Sequence, residues 1–373
     1  MKREGNLFDR IASIDNLRLA DQRARRGKLH SYGVRLHDRD REANLAVLHR
    51  MLMDGTFKTS AYSTFTIHEP KERLIYRLPY FPDRIVHHAV MNILEPIWTS
   101  VFTADTYSCI KGRGIHAAAM KVRAALDIDA EGCKYCLKID IRKFYPSIDH
   151  GVLKAIVRRR IKDARLLALL DGIIDSADGL PIGNYLSQFL ANLTLAYFDH
   201  WVKEVKRERH YFRYADDIVV MHADKGHLRR LLAEMEAKLL ELKLEVKPNK
   251  QIFPVAASHR DLHARGVDFL GFVFYLCETR LRKRIKQNLC RKVARLRRRK
   301  RPLSAKAFRQ AIAPWLGWCK YSDSEHLIYK LNSNQQPDYE IDIKHQALQT
   351  GGSGQRSGAL PLQHRRGRSA HGK

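Results

Sequence analysis

Apolar and polar residues alternate strictly through CLKIDIRKFYPSIDH (136–150): Leu137, Ile139 and Ile141 share one side, and Lys138 and Asp140 share the other. That period of two predicts a strand with a core face and a cleft face. Beyond Pro181-Ile182-Gly183, the residues Leu186, Leu190, Leu193, Tyr197 and Trp201 recur three or four apart, which predicts one long amphipathic helix running to about Glu204. FRYADDIVV (212–220) reads as two short strands around a tight turn, and Leu228, Leu232, Met235, Leu239 and Leu242 mark a second covering helix. The order strand, helix, hairpin, helix, strand predicts an α+β fold: a mostly antiparallel sheet with helices on one face and the other face open. Upstream, TFTIHEPKERLIYRLP (64–79) is β-rich and DRIVHHAVMNILEPIW (83–98) is helical in pattern, so a small mixed subdomain precedes the sheet. Downstream, Ile285, Leu289, Val293 and Leu296 keep helical spacing, and residues 302–332 continue as helix formers. From about Asn334 apolar residues become scarce, which predicts a disordered basic tail.

Composition narrows the partners. Of 373 residues 45% are hydrophobic, enough for one large core or two to three packed subdomains. Lysine and arginine outnumber aspartate and glutamate by 68 to 40, and a formal charge of +28 repels itself unless a polyanion lies against it, so nucleic acid is the leading partner. No apolar run approaches the roughly 20 residues of a membrane span, and no signal-peptide pattern follows MKREGNLFDR, so a cytoplasmic protein without membrane contact is expected. The six cysteines are too sparse for a disulfide framework, and the single CxxC at Cys133 and Cys136 lacks the partners a zinc site needs. No HExxH is present, and KGRGI (111–115) lacks the spacing of a nucleoside-triphosphate loop.

The acids carry the chemistry. Asp140 lies on the open side of its strand, and Asp216 and Asp217 lie at a hairpin turn that the same sheet brings alongside. Adjacent aspartates are common in solvated turns, but here Phe212 and Tyr214 precede them, Ile218, Val219 and Val220 follow, and a third acid matches them from a separate strand. Three converging carboxylates repel unless cations lie between them, and oxygen ligands of this kind suit Mg2+. Two such ions roughly 4 Å apart promote in-line phosphoryl displacement, the chemistry of polymerases and nucleases.

KIDIRKFYPSIDH, GLPIGNYLSQFLAN, YADDIVV, LKLEVKPNKQ and VDFLGFVF stand in the order of the palm motifs of reverse transcriptases, and EPKERLIYRLPYFPDRIVHHAV is similar to their fingers motif. The resemblance implies a right-hand fold: fingers over 1–135 with part of 150–180, palm over 136–277, a basic helical thumb over 278–333 and the tail over 334–373. It implies an RNA-directed DNA polymerase acting on template RNA, a primer and dNTPs. Asp140, Asp216 and Asp217, with the Ile141 carbonyl, resemble the metal-binding set for two Mg2+ ions, for which Mn2+ can substitute. Tyr145 resembles the gate that excludes a ribose 2′-OH. Lys71 and Arg73, with Arg77 as a substitute, resemble the residues that hold the incoming triphosphate. Lys250 falls where the family places a lysine near the leaving pyrophosphate, and Phe269, Leu270 and Gly271 resemble the primer grip.

Many reverse transcriptases carry glutamine where this chain has Ile182, and losing one hydrogen bond of roughly 1 kcal/mol permits looser base selection. An apolar residue followed by GNxxSQ, retaining Gly183 and Gln188, resembles the enzymes of diversity-generating retroelements, although Tyr185-Leu186 stands where those have Leu-Thr. GNLFDRI and LGWCKYSD extend that likeness. It implies adenine-mutagenic copying of a template-repeat RNA and a basic accessory variability protein as partner. A group II intron enzyme is the less expected relative, because only about forty low-complexity residues follow the thumb. No VTG motif marks a retron. A defence-associated reverse transcriptase, a silent RNA-binding protein of the same fold and a two-metal nuclease also compete with the retroelement assignment. Twelve of the twenty residues from Arg282 to Arg301 are Lys or Arg. Arg282, Lys283, Arg284, Lys286, Arg291, Lys292, Arg295, Arg297, Arg298 and Arg299 are the expected contacts to the nucleic-acid backbone, which carry no sequence code.

Overall fold

The alternating stretch forms the middle of a four-stranded sheet. In the computed structural model, which describes residues 3–68, 72–299, 301–332 and 341, nine strands are present. They are β1 (Ser63–Ile67), β2 (Arg73–Arg77), β3 (Tyr135–Asp140), β4 (His210–Tyr214), β5 (Asp217–His222), β6 (Gln251–Pro254), β7 (Val267–Phe269), β8 (Phe272–Phe274) and β9 (Thr279–Leu281). Lys71 and, apart from Ile341, the expected tail lie outside the described residues. By contact density the chain falls into a larger unit reaching from the N-terminus to Lys286, with Tyr321–Asp323, and a smaller one beginning at Gln287.

In the larger unit the central sheet has the order β4-β5-β3-β6 and is antiparallel throughout. Leu137, Ile139 and Ile141 join Ile218 and Val220 in one core with Leu186, Phe189 and Leu190 of the helix Tyr185–Thr194 and Leu228, Met235 and Leu239 of the helix Lys225–Glu241. Each fully buried side chain of this size contributes roughly 1.5–3 kcal/mol. The α+β arrangement therefore follows from the two periodicities.

Two details differ from the pattern reading. The second face of the sheet is not open along its length: Cys136, Val219, Met221 and Phe253 are buried on it, and it opens only toward Asp140. The helix expected to reach Glu204 is interrupted, ending at Thr194 and resuming as Ala196–His200 and a wider turn, Trp201–Val205. Thr194 Oγ1 donates back to the Leu190 carbonyl at 2.9 Å, a bond that bends helices, and Asp199 is buried in the resumed turn.

Asp199 meets Arg213 of β4, and both side chains have no exposure to water. Arg213 donates to both Asp199 oxygens at 2.7 and 2.5 Å, to Asn192 Oδ1 at 3.2 Å and to the Ala215 carbonyl at 3.0 Å. Tyr211 and Thr106 donate to the same carboxylate at 2.5 and 2.8 Å. Ala215 has φ +53°, a left-handed conformation unfavourable for a side-chain-bearing residue, and the Arg213 bond to its carbonyl braces the turn there.

β1 and β2 form a hairpin whose outward residues are largely exposed. Its inner strand touches the sheet domain where the Tyr76 N–H donates to the Ile182 carbonyl at 2.8 Å. Gly183 is required at that contact: its φ is +119°, and a Cβ would come within 2.7 Å of the Tyr76 carbonyl. β7, β8 and β9 form a separate antiparallel sheet, with Leu270 and Gly271 at φ +54° and +86° making the β7–β8 turn. Arg123, on the helix Ile115–Ile128, donates to the Tyr275 and Leu276 carbonyls of this sheet's second turn at 2.7 and 2.6 Å.

The smaller unit is helical. Leu289, Val293 and Leu296 of the helix Lys283–Arg297 are buried, as are Phe308, Ile312 and Leu316 of Ala305–Cys319 and Ile328 of Glu325–Asn332. Ile341, the only described residue of the expected tail, is buried and bonds the Asn332 side chain through its N–H and carbonyl at 3.1 and 2.9 Å. Among the described residues no helix is long and apolar enough to cross a membrane.

Replacing Asp199 by Ala leaves the Arg213 guanidinium buried without its counter-ion, and a loss of about 3–5 kcal/mol is expected in the urea-induced unfolding of the protein. A loss below about 1 kcal/mol would show that the pair does not brace the turn.

Candidate active site

The antiparallel register brings the acids together. Asp140, the last residue of β3, is the direct partner of Asp217, the first of β5, and the Ile141 N–H donates to the Asp216 carbonyl at 3.3 Å. The Asp216 carboxyl is pushed up to about 6 by burial first, then by repulsion from Asp140 and a hydrogen bond with it. Asp217 is also raised to about 6 by burial, against the opposing pull of Lys138. Its Oδ1 is buried and accepts no hydrogen bond.

Cations from two directions sit against this group. Lys247 Nζ donates to Asp140 Oδ1, and the Lys247 N–H donates to the Asp140 carbonyl at 2.8 Å. Lys138 Nζ lies 3.9 Å from Asp217 Oδ1. A cleft of about 490 Å3 opens beside Asp140 and Asp217, lined also by Gln251, Arg265, Asp268 and Arg282. Among the described residues no three His, Cys, Asp or Glu side chains form a closed ligand set for one ion. The donor chemistry nevertheless fits a hard divalent cation that keeps water and takes substrate oxygens: the acids offer oxygen alone, repel one another and include an oxygen without a donor.

The other expected residues are distributed unevenly. Tyr145 lies in the short helix Phe144–Ser147, half-buried, with its hydroxyl pKa raised by burial and, to a smaller degree, by Cys109, Asp216 and Tyr214. Its carbonyl accepts from Leu180 N–H at 2.8 Å, which ties it to the loop before Ile182. Gln188 is half-buried on the helix Tyr185–Thr194. Ile141 is buried in the core. Arg73 and Arg77 stand at opposite ends of the five-residue β2, so the structure does not bring them to one point. Arg77 instead lines a groove of about 890 Å3 with Lys28, Arg84, Tyr32 and Phe65. Lys28 and Arg84 are held below their ordinary pKa values by burial and by repulsion from neighbouring arginines, Arg77 among them.

Lys250 is not in the acid cluster: its Nζ is paired with Glu236 at 2.5 Å, while Lys247, three residues earlier, reaches Asp140. Phe269 is buried, and Leu270 and Gly271 form the hairpin turn. Arg282 is ion-paired with Asp268 at 2.5 Å. On the helix Lys283–Arg297, Arg284, Arg291 and Arg295, with Arg298 just beyond, form an exposed stripe opposite Leu289, Val293 and Leu296. Lys283, Lys286 and Arg299 are exposed and Lys292 is half-buried. Arg297 turns inward: it donates to the Leu331 carbonyl at 2.8 Å and its guanidinium lies 5.8 Å from the Phe308 ring centre.

Pattern reading missed Lys247, Asp268 and the Arg213–Asp199 pair. An arginine inside the otherwise aromatic and β-branched run FRYADDIVV was the available signal for the pair. Nothing in LEVKPNKQ distinguishes the reach of its two lysines.

Both aspartates hold their protons more tightly folded than unfolded. Their contribution to stability is therefore whole below the ordinary value of 3.8 and is lost as pH rises through about 6. In metal-free protein Asp217→Asn is expected to raise the thermal midpoint at pH 7.5, by a stabilisation on the order of 2 kcal/mol, and to leave it nearly unchanged at pH 4. Equal midpoints of the two proteins at both pH values would contradict this electrostatic picture.

The family model described as Reverse transcriptase (RNA-dependent DNA polymerase) matches residues 68–274. The chain is similar to Protein YkfC of Escherichia coli (strain K12), with 28% identity over 222 residues, 48% of this chain and 58% of that protein. It is similar to the Retron Ec73 reverse transcriptase of Escherichia coli, with 30% identity over 166 residues, 41% of this chain and 51% of that one. It also matches the group II intron-encoded protein LtrA of Lactococcus lactis subsp. cremoris, with 25% identity over 178 residues, 44% of this chain and 29% of that protein. The chain thus spans between about a quarter and three fifths of the length of these relatives. Among solved structures, apo telomerase from Candida Tropicalis is similar at a TM-score of 0.46 and 11% identity, over 74% of this chain and 60% of that one.

Proposed function

Because this chain belongs to the reverse transcriptase (RNA-dependent DNA polymerase) family, we propose that it extends a DNA primer on an RNA template, as the mutagenic polymerase of a diversity-generating retroelement. The observation that carries the polymerase reading is the pairing of Asp140 with Asp217, which sets Asp216 beside Asp140 at the mouth of a cleft. These three acids hold two Mg2+ ions, or Mn2+ in their place. Bound there, the metal supplies charge neutralisation on the phosphates and activation of the primer 3′-OH.

The remaining roles belong to the chain itself. Tyr145 occupies the space a 2′-OH would need, selecting deoxynucleotides. Arg73, with Lys71, orients the incoming triphosphate. Lys247, already bonded to Asp140, is a stronger candidate than Lys250 for offsetting the pyrophosphate charge. The Leu270–Gly271 turn supports the primer end. The groove around Lys28, Arg77 and Arg84 suits template phosphates, with Tyr32 and Phe65 offering faces on which bases stack. The stripe of Arg284, Arg291, Arg295 and Arg298 follows the backbone of the hybrid, and domain limits of fingers, palm and thumb follow the ranges read from sequence.

The retroelement subtype rests on Ile182. Its carbonyl is taken by Tyr76 N–H, and its side chain offers no hydrogen bond where a glutamine would. The basic accessory protein and the template-repeat RNA belong to this part of the proposal. The second reading, a group II intron-type or retron-type enzyme, is favoured by the similarity to the group II intron-encoded protein LtrA and the Retron Ec73 reverse transcriptase.

Incubation with primed RNA, Mg2+ and dNTPs tests the first part. Extension is expected from the native protein, with a loss of about a thousandfold or more in Asp216→Ala; retention of RNA without extension would leave only a binding protein, and cleavage a nuclease. Ile182→Gln is expected to lower misincorporation opposite template adenine without slowing extension, and identical error spectra would remove the subtype. Replacing Arg291, Arg295 and Arg298 by Ala should reduce the slope of log affinity against log salt by about two to three. An unchanged slope would remove the backbone assignment.

A further inference from the structure

β7 and β8 share no strand ladder with the central sheet. Backbone joins them to it at the end away from their turn, where Arg265 N–H donates to the Pro254 carbonyl of β6 at 3.1 Å and Leu276 N–H to the Ala256 carbonyl at 3.0 Å; side chains act nearer the acids. Lys138 is the side chain between the two. It lies on β3 two residues before Asp140 and on the same face, opposite Val219 of β5 and Gln251 of β6. Its ammonium donates to the Asp268 carbonyl in β7 and stands 3.9 Å from Asp217 Oδ1, the buried oxygen that accepts no hydrogen bond. The Asp268 carboxylate points elsewhere, accepting from Arg282 Nε at 2.7 Å.

Charge and geometry both call for a long cationic donor here. An ammonium carries three donors, so one can hold the Asp268 carbonyl while the others face the cleft and Asp217. An aliphatic residue would fill the strand position but take the donor from that carbonyl and leave the Asp217 charge to Arg282. A plain surface ion pair would need only the acid; the acceptor in a second sheet is the additional feature.

We propose that Lys138 is a positioning residue that ties the β7–β8 turn to Asp217 and so keeps the primer's 3′ end in register with the acids. The inference rests on the polymerase reading for the identity of the nucleic acid. Its consequence is specific: losing the tie should release the primer terminus while sparing nucleotide binding, which is assigned to Arg73 and Lys71.

The test compares the native full chain with Lys138→Met and Lys138→Arg, and with Lys138→Gln as a polar variant suited to a partly exposed position should the methionine protein fail to fold. Dissociation of a labelled primed RNA is timed against a competitor in Ca2+, which supports binding without chemistry, beside dissociation of the same RNA unprimed. Lys138→Met is expected to speed release of the primed form about tenfold, the worth of one charge-assisted hydrogen bond. The unprimed form should be released at the native rate, the KM for dNTP should stay within about twofold, and Lys138→Arg, which keeps the charge and N–H donors, should recover part of the effect. Native dissociation from Lys138→Met, or an equal loss on unprimed RNA, would overturn the proposal. A native protein that binds primed RNA but never extends it would sink the polymerase reading separately, and the release rates would still decide the role of Lys138.

Discussion

A guanidinium and a carboxylate with no contact with water, Arg213 and Asp199, hold the turn on which the acid doublet stands. Removing two ions from solvent costs several kcal/mol each, and that cost is offset only by dense bonding. Asn192, Tyr211 and Thr106 provide it. Asp199 lies in the turn of helix that resumes just past the break after Thr194, so the interrupted covering helix and the buried pair are neighbours. A packing irregularity and the turn that carries the acid doublet thus meet in one bonded network.

The acids are balanced from outside the turn. Lys247 reaches Asp140 from the loop before β6, and Lys138 reaches Asp217 from β3 while grasping β7. Neither cation offsets burial and repulsion together: Asp216 and Asp217 are both raised to about 6, chiefly by burial. Stability has been yielded locally for a concentrated field of negative oxygen, the condition a divalent cation relieves. Elsewhere the imbalance has the opposite sign, in the groove of Lys28, Arg77 and Arg84 and along the arginine stripe of the basic helix. That division of sign is what the proposed function requires: cations suited to phosphates on one side, and oxygen ligands suited to a divalent cation on the other.

Close approach of backbone is the other recurrent device. The contact of Tyr76 with Ile182 joins the exposed hairpin to the loop beside Tyr145, and only glycine at 183 allows it. A substitution there would act on the hairpin and on the neighbouring helix together, because Asn184 and Tyr185 follow directly.

The sequence by itself determined the layers and the register-independent chemistry. Alternation at 136–141 and the three-to-four spacing of the covering helices depend only on which residues water rejects, and a doublet of acids in an apolar run is costly enough to announce itself. Tertiary structure alone decided which long side chains reach which acid. Lys247 and Lys250 are chemically identical neighbours, yet the Ile141–Val246 bridge aims one at Asp140 and leaves the other to Glu236. It likewise turned Arg297 inward among residues that composition scored alike, parted Arg73 from Arg77 along one strand, and brought Asp268 within reach of Lys138 across 130 residues of chain. Such pairings depend on distances between elements far apart in the chain, and local periodicity holds no record of them.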